Sequence, residues 1–176
     1  MNAFKHLLLL TTLMLTTLAK AADNSNFEKL PPLKNFQVNT ENMVSSGLPS
    51  KPHFDVFKAQ GVTTVIDLIP GDRSEEREIV LDTGLAYENV QVVWDNPTLE
   101  NFQEYVGYMQ QAQSREGTTL THCKLNWRGA VFTYLYRVTQ LGEPEAEAKA
   151  DLDAIWQPNE TWQAFIDTVK AHYQVS

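Results

Sequence analysis

The chain has 176 residues and one cysteine, Cys123. It lies in the run Thr119-Leu120-Thr121-His122-Cys123-Lys124-Leu125-Asn126-Trp127-Arg128-Gly129-Ala130. Strand-forming residues lead up to the cysteine and a helical pattern starts near Trp127, which predicts strand, cysteine, tight loop and helix in succession. The first turn of a helix presents unpaired N–H groups and a partial positive charge. A loop feeding that turn adds further inward N–H groups, giving a cradle for an oxyanion or a phosphate. A thiol held there loses its proton more easily, because the thiolate is stabilised. Arg128 can grip two phosphate oxygens in a fork. Thiolate, cradle and arginine together suit attack on a phosphoester through a phosphocysteine. The candidate site is therefore Cys123 and Arg128, with His122, Lys124, Leu125, Asn126, Trp127 and Gly129 placed to surround the bound group.

These residues need a scaffold, and the hydrophobic pattern supplies one. Residues 22–35, polar and carrying Pro31-Pro32, read as a linker or irregular arm, and Asn35 to Val44 as two short strands before a turn at Ser45–Pro49. Ser50 reads as the cap of a helix from Lys51 to Gln60, with Pro52 in its first turn and Gly61 as its stop. Val62 to Leu68 reads as a buried strand. Ser74 is expected to cap a helix to Thr83, with Glu75 and Glu76 at its positive end. Tyr87 to Trp94 reads as the next strand. Thr98 caps a helix to about Ser114, and Thr118 to His122 is a short strand. Helices follow over Trp127–Gln140, Pro144–Trp156 and Glu160 to about Tyr173. Strands alternating with long helices predict an α/β fold of three layers, with a mostly parallel central sheet and helices on both faces. In such sheets, sites form beyond the carboxyl ends of the strands.

That rule singles out Asp95, on the loop Trp94-Asp95-Asn96-Pro97 after the preceding strand. Parallel strands would bring it to the same end of the sheet as Cys123. An aspartate there could protonate a leaving oxygen, a role typically worth about 10²–10⁴ in rate. Capping of the Thr98 helix is the other use of such a residue.

His122-Cys123 followed by an arginine at a helix start resembles the signature of cysteine-dependent protein tyrosine and dual-specificity phosphatases. Ser46-Gly47-Leu48-Pro49-Ser50 before a helix, then Gly61-Val62-Thr63-Thr64-Val65-Ile66-Asp67-Leu68, resemble the compact bacterial members. The likeness runs from about Phe36 to Gln140, and the C-terminal helices look like added packing. It implies a phosphotyrosine-phosphatase-like fold, a thiolate nucleophile at Cys123, phosphate binding by Arg128 and a general acid on an upstream loop. The sequence departs from the family pattern in one place. The family has five residues between cysteine and arginine, and here there are four. The residue after the arginine is usually Ser or Thr, and here it is Gly129. If the helix starts where it does in the family, the arginine moves about 100° around it. Two outcomes follow. A different curl using Asn126 and Gly129 keeps the site workable, or the site binds anions without turnover.

The remaining features bound the reading. The composition, 43% apolar and 20% charged, is that of a globular chain, and the net charge of −8 argues against nucleic-acid partners. Residues 1–21, with Lys5, the apolar run Leu7–Leu18 and Ala19-Lys20-Ala21, read as a secretory signal. An uncleaved anchor or a buried helix is the alternative. The signal reading divides the chain into 1–21, an arm over 22–35 and one phosphatase-like domain over 36–176. It implies a secreted or periplasmic protein without stable membrane insertion once the signal is removed. No metal-ligand spacing and no nucleotide fingerprint occur, so neither metal nor cofactor is expected. The expected partner is a phosphorylated protein or a small phosphoester. Arg73 reads as half of a surface ion pair with Glu76 or Glu78. His122 reads either as support for the thiolate or as a buried strand residue. A phosphatase-like module that only binds, and a rhodanese-type sulfurtransferase, are the competing functions. A thiol–disulfide oxidoreductase is disfavoured, because no second cysteine exists.

Overall fold

The computed structural model describes residues 27–175. The expected secretory segment, residues 1–21, lies outside them. A five-stranded sheet is built from β1 (Gln37–Thr40), β2 (Met43–Ser46), β3 (Val62–Asp67), β4 (Ala86–Asn89) and β5 (Thr118–His122). Its spatial order is β1-β2-β5-β3-β4. Only the β1–β2 pair is antiparallel. Six helices accompany it: α1 (Lys51–Ala59), α2 (Ser74–Asp82), α3 (Leu99–Gln113), α4 (Trp127–Thr139), α5 (Glu145–Ile155) and α6 (Glu160–His172). The expected three-layer, mostly parallel arrangement is what forms.

One face of the sheet packs on α1 and α2 through Phe54, Phe57, Val65, Val80 and Leu120. The other packs on α3 to α6 through Ile66, Phe102, Tyr105, Phe132, Leu135 and Trp162. Helix α4 is buried on every side from Arg128 to Val138, so it is the central post of the thicker layer. The arm is not a free linker: Phe27, Leu30 and Leu33 pack against the α1 side of the core.

Three local expectations change. Ser45 and Ser46 belong to β2 rather than to a turn, because β2 pairs along its whole length with β5, from Met43↔Thr119 to Ser46↔His122. The strand expected over Tyr87–Trp94 stops at Asn89. Its partner β3 ends opposite, at Asp67↔Asn89, and beyond that register no strand remains to pair with. Val90 and Val92 are still buried, so the alternating pattern reports packing without a ladder. Arg73, not Ser74, stands at the cap of α2, and the Asp72 carboxylate accepts from the Ser74 N–H at 3.0 Å. Thr98 caps α3 as expected, accepting from the Asn101 N–H.

The register fixes what meets at the carboxyl edge. Ser46, His122 and Asp67 lie level on three adjacent strands, and Cys123 is the next residue beyond.

Candidate active site

Cys123 leaves β5 with its N–H donated to the Ser46 carbonyl at 3.2 Å. The chain then crosses Lys124 and Leu125, both exposed, and reaches Asn126 at φ 63°, a left-handed conformation. Asparagine tolerates that region better than other side chains, and α4 starts at the next residue. The arm and the β2–α1 connection hold this loop from outside. The Asn35 side chain donates to the Leu125 carbonyl at 2.8 Å, and Leu48 N–H donates to the Lys124 carbonyl at 3.2 Å. In return the Asn126 Nδ2 donates to the Asn35 carbonyl at 2.8 Å and to Ser45 Oγ at 2.9 Å. Leu125 forms an antiparallel bridge with Gly47, while among the described residues the amides of Lys124, Leu125 and Trp127 to Gly129 have no backbone acceptor. Such a run of unpaired N–H groups leading into a helix N-terminus suits an anion.

Arg128 is the second residue of α4. Its Nε donates to the Val92 carbonyl at 3.0 Å, and its guanidinium carbon lies 5.4 Å from the centre of the Trp94 ring. Its two terminal nitrogens have no protein partner among the described residues. Cys123 is 1% exposed and Arg128 9% exposed, so the guanidinium is buried against the Val92–Trp94 segment rather than turned to solvent. The helix start puts Arg128 one step before the position six residues after the cysteine, where the family pattern has its arginine. Gly129 occupies that position.

The loop that holds Arg128 is the one that carries Asp95. Trp94 stands among the other three tryptophans of the chain, with ring centres 5.7 Å from Trp127, 5.5 Å from Trp156 and 5.1 Å from Trp162. Trp127 and Trp156 stack at 5.2 Å and 11°. Trp162 Nε1 donates to the Trp94 carbonyl at 3.1 Å, and Trp156 Nε1 to the Trp127 carbonyl at 3.0 Å. The C-terminal helices expected as added packing thus clamp the Asp95 loop against α4. Asp95 itself is exposed at the end of this clamp. Trp127 is half-buried in the aromatic cluster.

Behind the cysteine loop lies a polar cluster that sequence reasoning missed. Asp67, wholly buried, accepts from Arg73 Nε at 2.6 Å, Tyr87 Oη at 2.9 Å and Ile69 N–H at 2.8 Å. Arg73 also reaches Glu76 at 2.5 Å, so the expected surface pair is instead half-buried and shared with Asp67. His122 is fully buried, with Nε2 at 3.0 Å from Glu76 and 3.9 Å from Asp67. Its ring addresses these carboxylates, which favours the buried-strand reading of His122. Burial opposes ionisation of Glu76, but His122 and Arg73 outweigh it and hold its pKa below the ordinary carboxyl value. Burial, and then the Asp67 charge, push the Tyr87 hydroxyl well above its usual range. Asp67, Glu76 and His122 each offer a ligand atom within 4.8 Å of the others. Arg73 already supplies a cation to both carboxylates, so the cluster is an ion-pair network and fits a metal poorly. The signal for it was the pair Arg73 and Glu76 in the first turn after β3. What was missing was that the first turn of α2 brings Glu76 to His122 at the end of β5.

A separate open cavity of about 480 Å³ lies at the opposite end of β2 and β5, lined by Met43, Met109, Gln113, Thr119 and Tyr136.

No protein-family model matches this chain, and no curated protein matches it. Solved structures do. A candidate phosphatase of the DUF442 group from Shewanella putrefaciens CN-32 is 29% identical, with a TM-score of 0.71 over 84% of this chain and 97% of that one. The core catalytic domain of the PP-IP phosphatase SIW14 from S. cerevisiae is 16% identical, with a TM-score of 0.63 over 82% and 94% of the two chains. P. aeruginosa TpbA, seen in complex with phosphotyrosine, is 18% identical, with a TM-score of 0.58 over 81% and 91%. The chain therefore shares the α/β fold of these solved phosphatases, and that fold places the cysteine loop at the end of its central strand.

Proposed function

We propose that this protein hydrolyses a phosphoester through Cys123. The observation that carries the reading is the junction after β5. There a buried cysteine, the unpaired amides of Lys124, Leu125 and Trp127 to Gly129 and the two free terminal nitrogens of Arg128 are gathered at one helix N-terminus. The thiolate attacks phosphorus and forms the P–S bond. The bond from phosphorus to the leaving oxygen breaks, and the Asp95 carboxyl gives that oxygen its proton. Water then attacks the phosphocysteine and passes a proton to the Asp95 carboxylate. The P–S bond breaks, returning thiolate and free phosphate. Loop amides and Arg128 hold the charge that builds on the non-bridging oxygens. The substrate class is a phosphorylated protein or a small phosphoester, consistent with the phosphotyrosine seen on a structural neighbour. The secretory reading of residues 1–21 places this activity in the periplasm or outside the cell.

A second reading has its own observation. No hydroxyl follows the arginine, since the next residues are Gly129 and Ala130. Nothing in that place eases departure of the thiolate, so a binding module with arrested or slow release of phosphate is the alternative. The test is hydrolysis of an aryl phosphate by the purified protein, expected to be vanadate-sensitive and abolished by Cys123→Ser. Normal turnover in the serine variant refutes the cysteine mechanism. A wild-type protein that binds inorganic phosphate by calorimetry yet releases no product selects the binding module.

A further inference from the structure

The guanidinium of this site comes from one residue earlier than the family spacing gives, and the structure shows what excludes it from the later position. A Cβ added at Gly129 would overlap Asn126 Oδ1, well inside van der Waals contact. That oxygen cannot simply swing away. Asn126 is fully buried, and rotating its amide would break both Nδ2 bonds, to the Asn35 carbonyl and to Ser45 Oγ. Oδ1 itself has no donor, so the amide is oriented by its nitrogen alone, and its oxygen fills the space in front of Gly129. The backbone compounds this. Asn126 is left-handed and starts α4 at Trp127, so residue 129 is committed to the first helical turn and cannot slide along the loop.

We propose that Asn126 is a positioning residue of the oxyanion cradle. By bridging the arm and β2 it fixes the loop around Cys123. By filling the volume beside Gly129 it confines the guanidinium to Arg128, which meets the oxyanion from the side of the Val92–Trp94 loop. Asn126 and Gly129 are then one interlocked unit, and the arginine has changed place rather than been lost. This deepens the phosphoester reading above and rests on it for the ligand, whereas the steric coupling stands by itself.

The experiment measures orthovanadate binding by calorimetry and folding by thermal melting. Wild-type protein binds vanadate, and Arg128→Ala removes that binding. Asn126→Gly, which keeps the left-handed conformation accessible, folds but binds on the order of tenfold to a hundredfold more weakly, the range expected when the slackened loop loses one charge-assisted hydrogen bond from its own amides or Arg128 to the anion. Adding Gly129→Arg to Asn126→Gly restores binding, and the restored binding survives Arg128→Ala. Gly129→Arg with Asn126 in place restores nothing. Two results overturn the inference. One is Gly129→Arg accommodated equally well with and without Asn126. The other is a double variant whose binding still depends on Arg128. Should the arginine variants fail to fold, Gly129→Ala decides by melting. It lowers the midpoint when Asn126 is present and has little effect in the Asn126→Gly protein, and equal drops in both overturn the proposal. A wild-type protein without vanadate affinity sinks the phosphoester reading instead, and the Gly129→Ala melts still judge the coupling.

Discussion

Replacing Glu76 by Gln tests the buried network that backs the cysteine loop. Glu76 meets Arg73 at 2.5 Å and His122 at 3.0 Å, and the exposures of these side chains are 11%, 20% and 0% in that order. Removing one partner of a buried pair costs about 3–5 kcal/mol, because the other charge is left uncompensated. Two features lower that figure here. Arg73 keeps Asp67 at 2.6 Å, and Gln retains one hydrogen bond. A loss of about 2–3 kcal/mol follows, or about 5–10 °C in midpoint for a chain of this size. The pH dependence has a definite sign. The folded-state pKa of Glu76 lies below its ordinary value of 4.5, so between the two values the native protein binds fewer protons than the unfolded chain. The stabilisation is complete above the ordinary value and disappears as pH falls through the folded value. Urea unfolding of both proteins, from neutral pH down to about pH 3, should show the gap between them closing on acidification. A gap under ~0.5 kcal/mol at neutral pH, or one that widens as the pH falls, refutes the reasoning.

Asp95→Asn should lower aryl-phosphate turnover by about 10²–10⁴, the usual worth of a general acid, while leaving vanadate affinity unchanged; equal turnover removes Asp95 from the chemistry. Trp162→Phe deletes the donor to the Trp94 carbonyl and shrinks a fully buried side chain. It should cost about 1–3 kcal/mol in urea unfolding, and an unchanged midpoint would show that the C-terminal helices do not clamp the Asp95 loop.

The cysteine junction was legible because its information is local. Strand, thiol, loop and helix start lie within a dozen consecutive residues, and each has a propensity or a charge preference that points the same way. The order of strands and helices was legible for the same reason, since alternation of periodicities survives small errors in the ends. Four things were not. The end of β4 depended on where β3 stopped, which the Val90–Val93 pattern does not record. The Glu76–His122 contact joins α2 to β5, and no local rule relates those segments. The arm looked like a linker because Asn35 acts through its own backbone carbonyl and a short side chain, and its ties to Leu125 and Asn126 span most of the domain. The four tryptophans are ordinary core residues one by one, and only α5 and α6 folding back across α4 turn them into a brace.

These long-range contacts share a geometry that bears on the chemistry. The cysteine loop is held from three sides by segments that come from elsewhere in the chain. Asn35 and Ser45 fasten Asn126, Glu76 of the Asp67–Arg73–Glu76 network lies 3.0 Å from His122, and the tryptophan brace fastens the Val92–Trp94 segment on which Arg128 rests. None of the three uses the loop amides or the terminal nitrogens of Arg128, so the groups that could receive an oxyanion are the ones the scaffold leaves free. Rigid support combined with unspent donors is the arrangement that electrostatic preorganisation requires. Under the proposed mechanism, the missing hydroxyl after Arg128 bears on departure of the thiolate, so the slow step should be the release of phosphate from Cys123 rather than its capture.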